Sequence, residues 1–397
     1  MSIPPIAALE IGTTRTVVLV GELDQARRIR IIGKGVYPTT GVHKGQVVDL
    51  QHARSGVEMA VKQAAEESQV DIGRVVMAVS GGHVEASQNQ ASVAVMARDR
   101  IVTREDVEEV TERVKEIQLP DGREVMHTIT QNFSLDGQNG IVKPEGLQGS
   151  QLLLNMLLIH ARRAPIENMR SVAMAAELDV DDVVFSGLCS ALAVLTPDQK
   201  RNGVVVIDLG GGTTNYLAYA GNVMAAAGSL AVGGEHVTND LVLAFNILQM
   251  RAEELKLQYG NAVISPTAGL RRISVPNDLG KQDQTISLKA FHTVINARMA
   301  ETLQIIRSRL HDADLLGKLG AGVVFTGGGA AMPGLCELGQ SIFGVPCSVG
   351  EPSVFSPALD DVPNLPAFAT AIGLIEYGIR TYHDTGVRDF FKRILGR

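Results

Sequence analysis

Ile207-Asp208-Leu209-Gly210-Gly211-Gly212-Thr213-Thr214 is the stretch from which the fold can be read. Val204-Val205-Val206-Ile207 brings the chain in as an apolar strand, and Tyr216–Tyr219 takes it out as another. About half the chain earlier the pattern occurs once before, as Leu9-Glu10-Ile11-Gly12-Thr13-Thr14, with strands expected on both sides of the turn. Each copy sets an acid at the end of an apolar strand, then glycine, then paired threonines, then a second strand. A duplicated strand–turn–strand predicts an α/β protein of two similar halves that face a shared cleft.

The residue types point to phosphate chemistry. Glycines let backbone N–H groups converge on a phosphate because no side chain blocks the approach. Threonine hydroxyls add donors. Asp208 and Glu10 are candidate holders of a Mg²⁺ ion, through water, that bridges phosphate oxygens. A Walker loop is excluded: no GxxxxGK[ST] occurs, and these glycines lead into a strand rather than a helix. A third cluster, Gly327-Gly328-Gly329, follows the strand-like Gly322–Phe325.

Composition bounds the rest. With 397 residues, 45% of them hydrophobic and 20% charged, the chain can build two or three domains around large cores. A net charge of -7 argues against a general nucleic-acid binder. Cys189, Cys336 and Cys347 stand apart, giving neither a disulfide frame nor a zinc site. No apolar run approaches the ~20 residues of a membrane span. The opening Met-Ser-Ile-Pro-Pro lacks the features of a secretory signal, so a reducing cytoplasm is expected.

Between the repeats, helical spacing predicts a helix over Leu50–Ser68, and a strand pair is expected around Ile29–Val36 and Val47–Asp49. The texture changes over Val84–Arg163, which reads as an inserted unit. Thr103 is its helix N-cap, with Asp106 three residues on and an end near Gln118. Two strand-like runs follow, Glu124–Leu135 and Ser150–Ala161, around a Gly/Pro-rich loop. Further helices are expected over Ile166–Leu178, Ser186–Leu195, Val237–Asn246, Arg251–Tyr259, Ser287–Leu310, Met332–Phe343 and Ala367–Gly378.

The three glycine clusters resemble the phosphate-1, phosphate-2 and adenosine loops of the actin-like ATPase superfamily. The fold so implied is ribonuclease-H-like and duplicated, with Ser186–Leu195 and Ala367–Gly378 as connecting helices at the hinge. The resemblance makes Gly12, Thr13, Thr14, Gly210, Gly211, Gly212, Thr213, Thr214, Gly233, Gly234, Gly327, Gly328, Gly329 and Met332 candidate ATP contacts. In Ala252-Glu253-Glu254-Leu255-Lys256 it implies that Glu253 receives ribose hydroxyls and that Lys256 flanks the adenine. Within the superfamily the chain is similar from end to end to the FtsA family of bacterial cell-division proteins. Gly41-Val42-His43-Lys44-Gly45-Gln46-Val47-Val48-Asp49, Arg98–Val107, Leu135–Ile141, Gly233–Asp240 and Pro366–Leu374 carry this likeness.

The family implies an ATP-binding adaptor that polymerises on the inner face of the cytoplasmic membrane, at the division septum, and tethers FtsZ filaments there. Its subdomains would fall at 1–83 and 164–202 (1A), 84–163 (the inserted 1C), 203–238 and 322–380 (2A) and 239–321 (2B), with a linker and membrane helix at 381–397. Subdomain 2B would take the acidic FtsZ C-terminal tail, with Arg298 in Ile295–Glu301 as a contact. Subdomain 1C would meet neighbouring copies and later division proteins. Two departures imply slow or absent hydrolysis. Glu10 stands where the superfamily has Asp, and Ser186-Gly187-Leu188 offers no Glu or Gln to orient attacking water.

The last residues have their own pattern. At ~100° per residue, Val387, Phe390, Phe391, Ile394 and Leu395 share one face, and Arg388, Lys392, Arg393 and Arg397 lie largely opposite. That is the pattern of an amphipathic helix lying on anionic lipid. The nearest rival is a PilM-type actin-like platform of type IV pilus assembly, which does not need its own anchor. A small-molecule kinase would need a carboxylate base and a sugar pocket, and a chaperone would need a further domain; neither pattern is found.

Overall fold

The computed structural model describes residues 4–116, 119–275, 284–353, 357–359 and 362–383. The expected membrane residues Val387, Arg388, Phe390, Phe391, Lys392, Arg393, Ile394 and Leu395 lie outside the described residues.

The first half opens with β1 (Ile6–Ile11), β2 (Arg15–Leu23) and β3 (Ile29–Pro38). A small hairpin, β4 (Val42–His43) and β5 (Gln46–Val47), leads into α1 (Leu50–Ser68) and β6 (Arg74–Val79). Asp49 caps α1 by accepting the His52 N–H at 3.0 Å, and Ala53, Val57, Ala60 and Ala64 line its buried face. The expected pairing of Ile29–Val36 with Val47–Asp49 is corrected: β3 pairs with β2, while Gln46–Val47 pairs back on Val42–His43. Lys44-Gly45 makes a two-residue turn with both residues left-handed, which closes that hairpin locally.

An inserted run follows, made of β7 (Val84–Ala94), α2 (Arg104–Lys115), β8 (Arg123–Leu135), β9 (Gln138–Ile141) and β10 (Gln151–Arg162). Its strands form a separate sheet in the order β7-β10-β8-β9. Val110, Val114, Phe133, Leu152 and Leu154 give it a core of its own. Thr103 and Asp106 form the expected capping box on α2. The Gly/Pro-rich loop contains β9, because Asp136-Gly137 turns the chain into a hairpin. Then α3 (Arg163–Ala175), β11 (Asp179–Phe185) and α4 (Ser186–Val194) complete the first half, whose sheet runs β11-β6-β1-β2-β3.

After α5 (Pro197–Asn202), the second half begins with β12 (Val204–Leu209), β13 (Thr214–Ala220) and β14 (Val223–Leu230). Next come α6 (Gly234–Phe245), α7 (Gln249–Tyr259), the strand pair β15 (Arg272–Val275) and β16 (Gln284–Ser287), and α8 (Leu288–Asp312). The half closes with β17 (Val323–Thr326), α9 (Leu335–Phe343) and β18 (Cys347–Val349), and α10 (Ala369–His383) then crosses back to pack against α4 and the β1, β2 and β6 strands of the first half. Its sheet order is β14-β13-β12-β17-β18.

Strand for strand this sheet repeats the first. In each, a hairpin adds a third antiparallel strand on one side and two parallel strands on the other. The duplication expected from the two Gly–Thr turns therefore extends over both sheets. Several helix starts move: the helices expected from Ile166, Val237 and Arg251 begin earlier, at Arg163, Gly234 and Gln249. The segment from Met332 becomes helical only at Leu335, after a single 3₁₀ turn at Gly328–Ala331. The late hinge helix spans Ala369–His383.

Candidate functional site

The two Gly–Thr turns close in the same way. Gly12 N–H donates to Arg15 O at 3.0 Å, and Gly210 N–H donates to Thr213 O at 2.9 Å. They also meet face to face. A Cβ on Gly212 would lie 2.2 Å from Thr13 Oγ1, and one on Gly211 would lie 2.5 Å from Thr14 Cγ2. The halves thus touch through glycine backbone on one side and threonine side chain on the other. Thr214 is fully buried and donates to Val232 O at 2.8 Å, which fixes the exit strand. Behind the turns, Ser80 Oγ lies 3.0 Å from Thr213 Oγ1.

The acids lie just below. Asp208 Oδ2 accepts from Ser190 Oγ on α4 at 2.7 Å and from Thr370 Oγ1 on α10 at 3.0 Å. Burial raises the Asp208 pKa, while hydrogen bonds from Ser190, Thr370 and Asn215 pull it down. Glu10 is in a different state. Its Oε2 is buried with no hydrogen-bond partner. Burial, then the charge on Asp208, pushes the Glu10 carboxyl up to about 7 against a smaller lowering from Arg15. Among the described residues no group of three or more His, Cys, Asp or Glu gathers to hold a metal. An orphaned carboxylate oxygen beside a second carboxylate nevertheless suits a hard cation that keeps most of its water and phosphate ligands.

The third cluster adjoins this pair. Gly327 is left-handed (φ 82°), and a Cβ there would lie 2.2 Å from Asp208 Oδ1, so only glycine fits. A Cβ on Gly329 would lie 2.8 Å from Leu209 Cβ. Gly328 differs: a Cβ there would meet nothing within 4 Å. It borders open space, as a wall over a ligand should.

Further elements converge from the second half. Gly234 N–H donates to Gly210 O at 2.9 Å and Glu235 N–H to Gly211 O at 2.8 Å, so the start of α6 sits on the second turn. A Cβ on Gly233 would lie 2.5 Å from both of those carbonyl oxygens. Lys256 Nζ pairs with Glu253 Oε2 at 2.6 Å, and donates to Thr238 Oγ1 at 2.9 Å and Gly234 O at 3.1 Å. Glu253 and Lys256 therefore stand together on α7, against the first turns of α6. Met332 reaches the end of α7, its Sδ 3.1 Å from a Cβ built on Gly260.

Arg298 on α8 lies apart from this group. It forms a two-pronged ion pair with Asp240, at 2.6 and 3.0 Å, and also bonds Glu301. Any acidic ligand would have to share it with Asp240. Sequence reasoning missed Ser190 and Thr370 as partners of Asp208. Both sit in small-residue hinge helices, and only the crossing of α4 and α10 reveals that their hydroxyls converge. It also missed the way Arg15 is spent: the guanidinium donates to Ala367 O and lies 4.8 Å over the Phe368 ring.

Comparison with known proteins agrees with the fold. Residues 205–373 match the family described as cell division protein FtsA, and residues 81–160 match the SHS2 domain inserted in FtsA. The cell division protein FtsA of Escherichia coli (strain K12) is 32% identical over 396 residues, covering 98% of this chain and 93% of the relative. That of Pseudomonas aeruginosa is 29% identical over 379 residues, covering 96% and 90%. Among solved structures, the PilM-PilN type IV pilus biogenesis complex aligns with a TM-score of 0.64 at 18% identity, over 94% of this chain and 98% of that one. MreB5 of Spiroplasma citri bound to ADP aligns with a TM-score of 0.57 at 14% identity, over 96% and 99%. The structural likenesses establish the actin-like fold; the full-length sequence relationship establishes that this chain belongs to the FtsA family of cell-division proteins.

Proposed function

We propose that this protein binds ATP with Mg²⁺ between its two halves and, as a filament on the cytoplasmic membrane at the division septum, tethers FtsZ to it. One observation carries the nucleotide reading. Two glycine–threonine turns face each other above an acidic pair, and the third glycine cluster borders open space at Gly328. The fold is shared with an MreB5 solved with ADP and, in another structure, with AMPPNP, which supports the same reading. Gly12, Thr13, Thr14 and Gly210 to Thr214 would hold the phosphates. Gly233, Gly234, Glu253, Lys256, Gly327 to Gly329 and Met332 would enclose the nucleoside. Asp208 and Glu10 would hold the cation, whose chemistry is to neutralise phosphate charge. With Ser186 where a water-orienting carboxylate or amide would stand, turnover is slow or absent.

The proposed subdomains 1A, 1C, 2A and 2B keep the boundaries drawn from the sequence, except that α10, inside 322–380, packs with 1A. Subdomain 1C, at 84–163, is the proposed contact for neighbouring copies and later division proteins. Subdomain 2B, at 239–321, is the proposed site for the FtsZ tail. It exposes Leu243, Met250, Leu257 and Leu270 for apolar side chains of such a peptide, with Arg298 for its acids. The terminal residues 386–397 would lie on anionic lipid as a weak anchor made firm by polymerisation.

Gly328→Val is the decisive test of the nucleotide site. A Cβ there meets nothing of the protein within 4 Å, so the added side chain starts in open space. ATP affinity by calorimetry should collapse while the melting temperature holds; unchanged affinity places the nucleotide elsewhere. FtsZ-tail binding is checked by anisotropy with Arg298→Glu, and anchoring by flotation with vesicles of Phe391→Glu and a chain ending at Thr385.

A further inference from the structure

The β4–β5 hairpin is a part of the cleft that neither Gly–Thr turn explains. Its tip is seated on both halves. Gly45 N–H donates to Thr13 Oγ1 at 3.2 Å, and a Cβ on Gly45 would lie 2.6 Å from Ser80 O and 3.0 Å from Thr213 Cγ2. Thr13 and Ser80 belong to the first half and Thr213 to the second. The two-residue turn holds Lys44 at φ 50° and Gly45 at φ 74°. Asn or Asp is the usual residue at the first of these positions, and a lysine there costs backbone strain. The chain thus carries a cation at a place where the backbone alone would choose another residue.

That cation is unspent. Lys44 is half-buried, and among the described residues its side chain makes no hydrogen bond or ion pair. Other cations of the two halves are engaged. Arg15 is held by Ala367 O and the Phe368 ring, Lys256 by Glu253, Arg298 by Asp240, and Arg309 by the Tyr216 ring. The charge of the tip also reaches across to the start of α6. His236 is lowered first by burial and next by Lys44, and Glu235 is raised by burial and lowered by His43. His236 in turn accepts the Gly233 N–H, beside the second Gly–Thr turn.

We propose that the His43-Lys44-Gly45 tip is a third arm of the nucleotide site, in which Lys44 takes the terminal phosphate of a bound nucleoside triphosphate. The proposal rests on the nucleotide reading above and deepens it. A half-buried ammonium that lacks a carboxylate, on a tip seated against Thr13 and Thr213 of the two Gly–Thr turns, is suited to the charge of a third phosphate. A diphosphate would leave Lys44 unused. Because Gly45 touches both halves, that one contact would also make closure of the cleft depend on the third phosphate.

The test uses the full chain with Lys44→Ala and Lys44→Arg, titrated calorimetrically with Mg-ATP and Mg-ADP. Losing a charge-assisted contact should weaken ATP about tenfold or more in Lys44→Ala and leave ADP within about twofold. Lys44→Arg should recover most of the ATP affinity. Hydrogen exchange supplies a second readout: ATP should protect residues 41–49 in the wild type and not in Lys44→Ala. If both nucleotides weaken alike, or neither changes, the proposal is overturned. If the wild type binds ADP and ATP equally, Lys44 does not read the third phosphate, although the nucleotide site stands. If the wild type binds neither, the nucleotide reading itself fails and this one with it.

Discussion

Glu10 and Asp208 occupy the same place in the two repeats, yet their surroundings are opposite. Each is the penultimate residue of the strand that enters a Gly–Thr turn, and each pairs with a parallel strand on one side and a hairpin strand on the other. Asp208 receives a hydroxyl from each hinge helix, whereas Glu10 has a buried oxygen with no partner. The backbone is duplicated and the polar wiring is not. Both hinge helices serve the second copy's acid, so the Asp208 carboxylate joins α4 and α10 while the Glu10 oxygen has no protein partner. An unpartnered buried carboxylate is costly, and it is tolerated where binding will satisfy it.

The comparison breaks most completely where the hinge helices cross. A Cβ on Gly373 of α10 would lie 1.9 Å from Cys189 O on α4, against backbone that cannot rotate away. Gly373→Val should push the helices apart and withdraw Thr370 from Asp208. The expected loss of stability is more than about 3 kcal/mol, larger than for any substitution at the acids themselves. Urea unfolding with an unchanged midpoint would show that the crossing carries little of the stability.

Glu10 is the next place to test. Its folded pKa of about 7 exceeds the ordinary 4.5. An acid raised in this way binds its proton more tightly when folded. Its contribution is therefore present below pH 4.5 and is lost as pH rises toward about 7. The nucleotide-free protein should lose up to about 3 kcal/mol across that window, and Glu10→Gln should flatten this slope and be the more stable form above it. Urea unfolding of both forms on either side of neutrality is the check. Parallel pH profiles would mean that Glu10 is not strained in the folded protein.

The turns were legible because their residues are special: few chains need an acid, glycine and paired threonines between two strands, twice over, unless the backbone must approach something. The strand–turn–strand of each copy and the cap of α2 were read from local pattern alone. The strands β11, β14 and β18 were not. Asp179–Phe185 begins Asp-Val-Asp-Asp, Val223–Leu230 is mostly small residues, and Cys347–Val349 is three residues long, so each is strand only through its neighbour in the sheet. At the site, the two acids were identified but their difference was not. It depends on Ser190 and Thr370, far apart in sequence, reaching one carboxylate, and spacing carries no sign of that.

The smallest effect separates a wired hydroxyl from a merely buried one. Thr370 Oγ1 lies 3.0 Å from both Asp208 Oδ2 and Ser190 Oγ. Thr370→Val keeps the branched shape and removes only the donor. Ser190 still serves the carboxylate, so the cost should be modest, about 1 kcal/mol. Its pH dependence has a definite sign. The Thr370 donor favours charged Asp208 and lowers its pKa against the larger effect of burial. The penalty should therefore be full where Asp208 is ionised and shrink as pH falls through its titration, opposite in direction to the effect of Glu10. Melting curves of wild type and Thr370→Val over roughly pH 4 to 8 read this directly. A penalty that is the same at every pH would mean that Thr370 serves only to pack α10 against α4, and that the hinge does not hold Asp208 in its charged form.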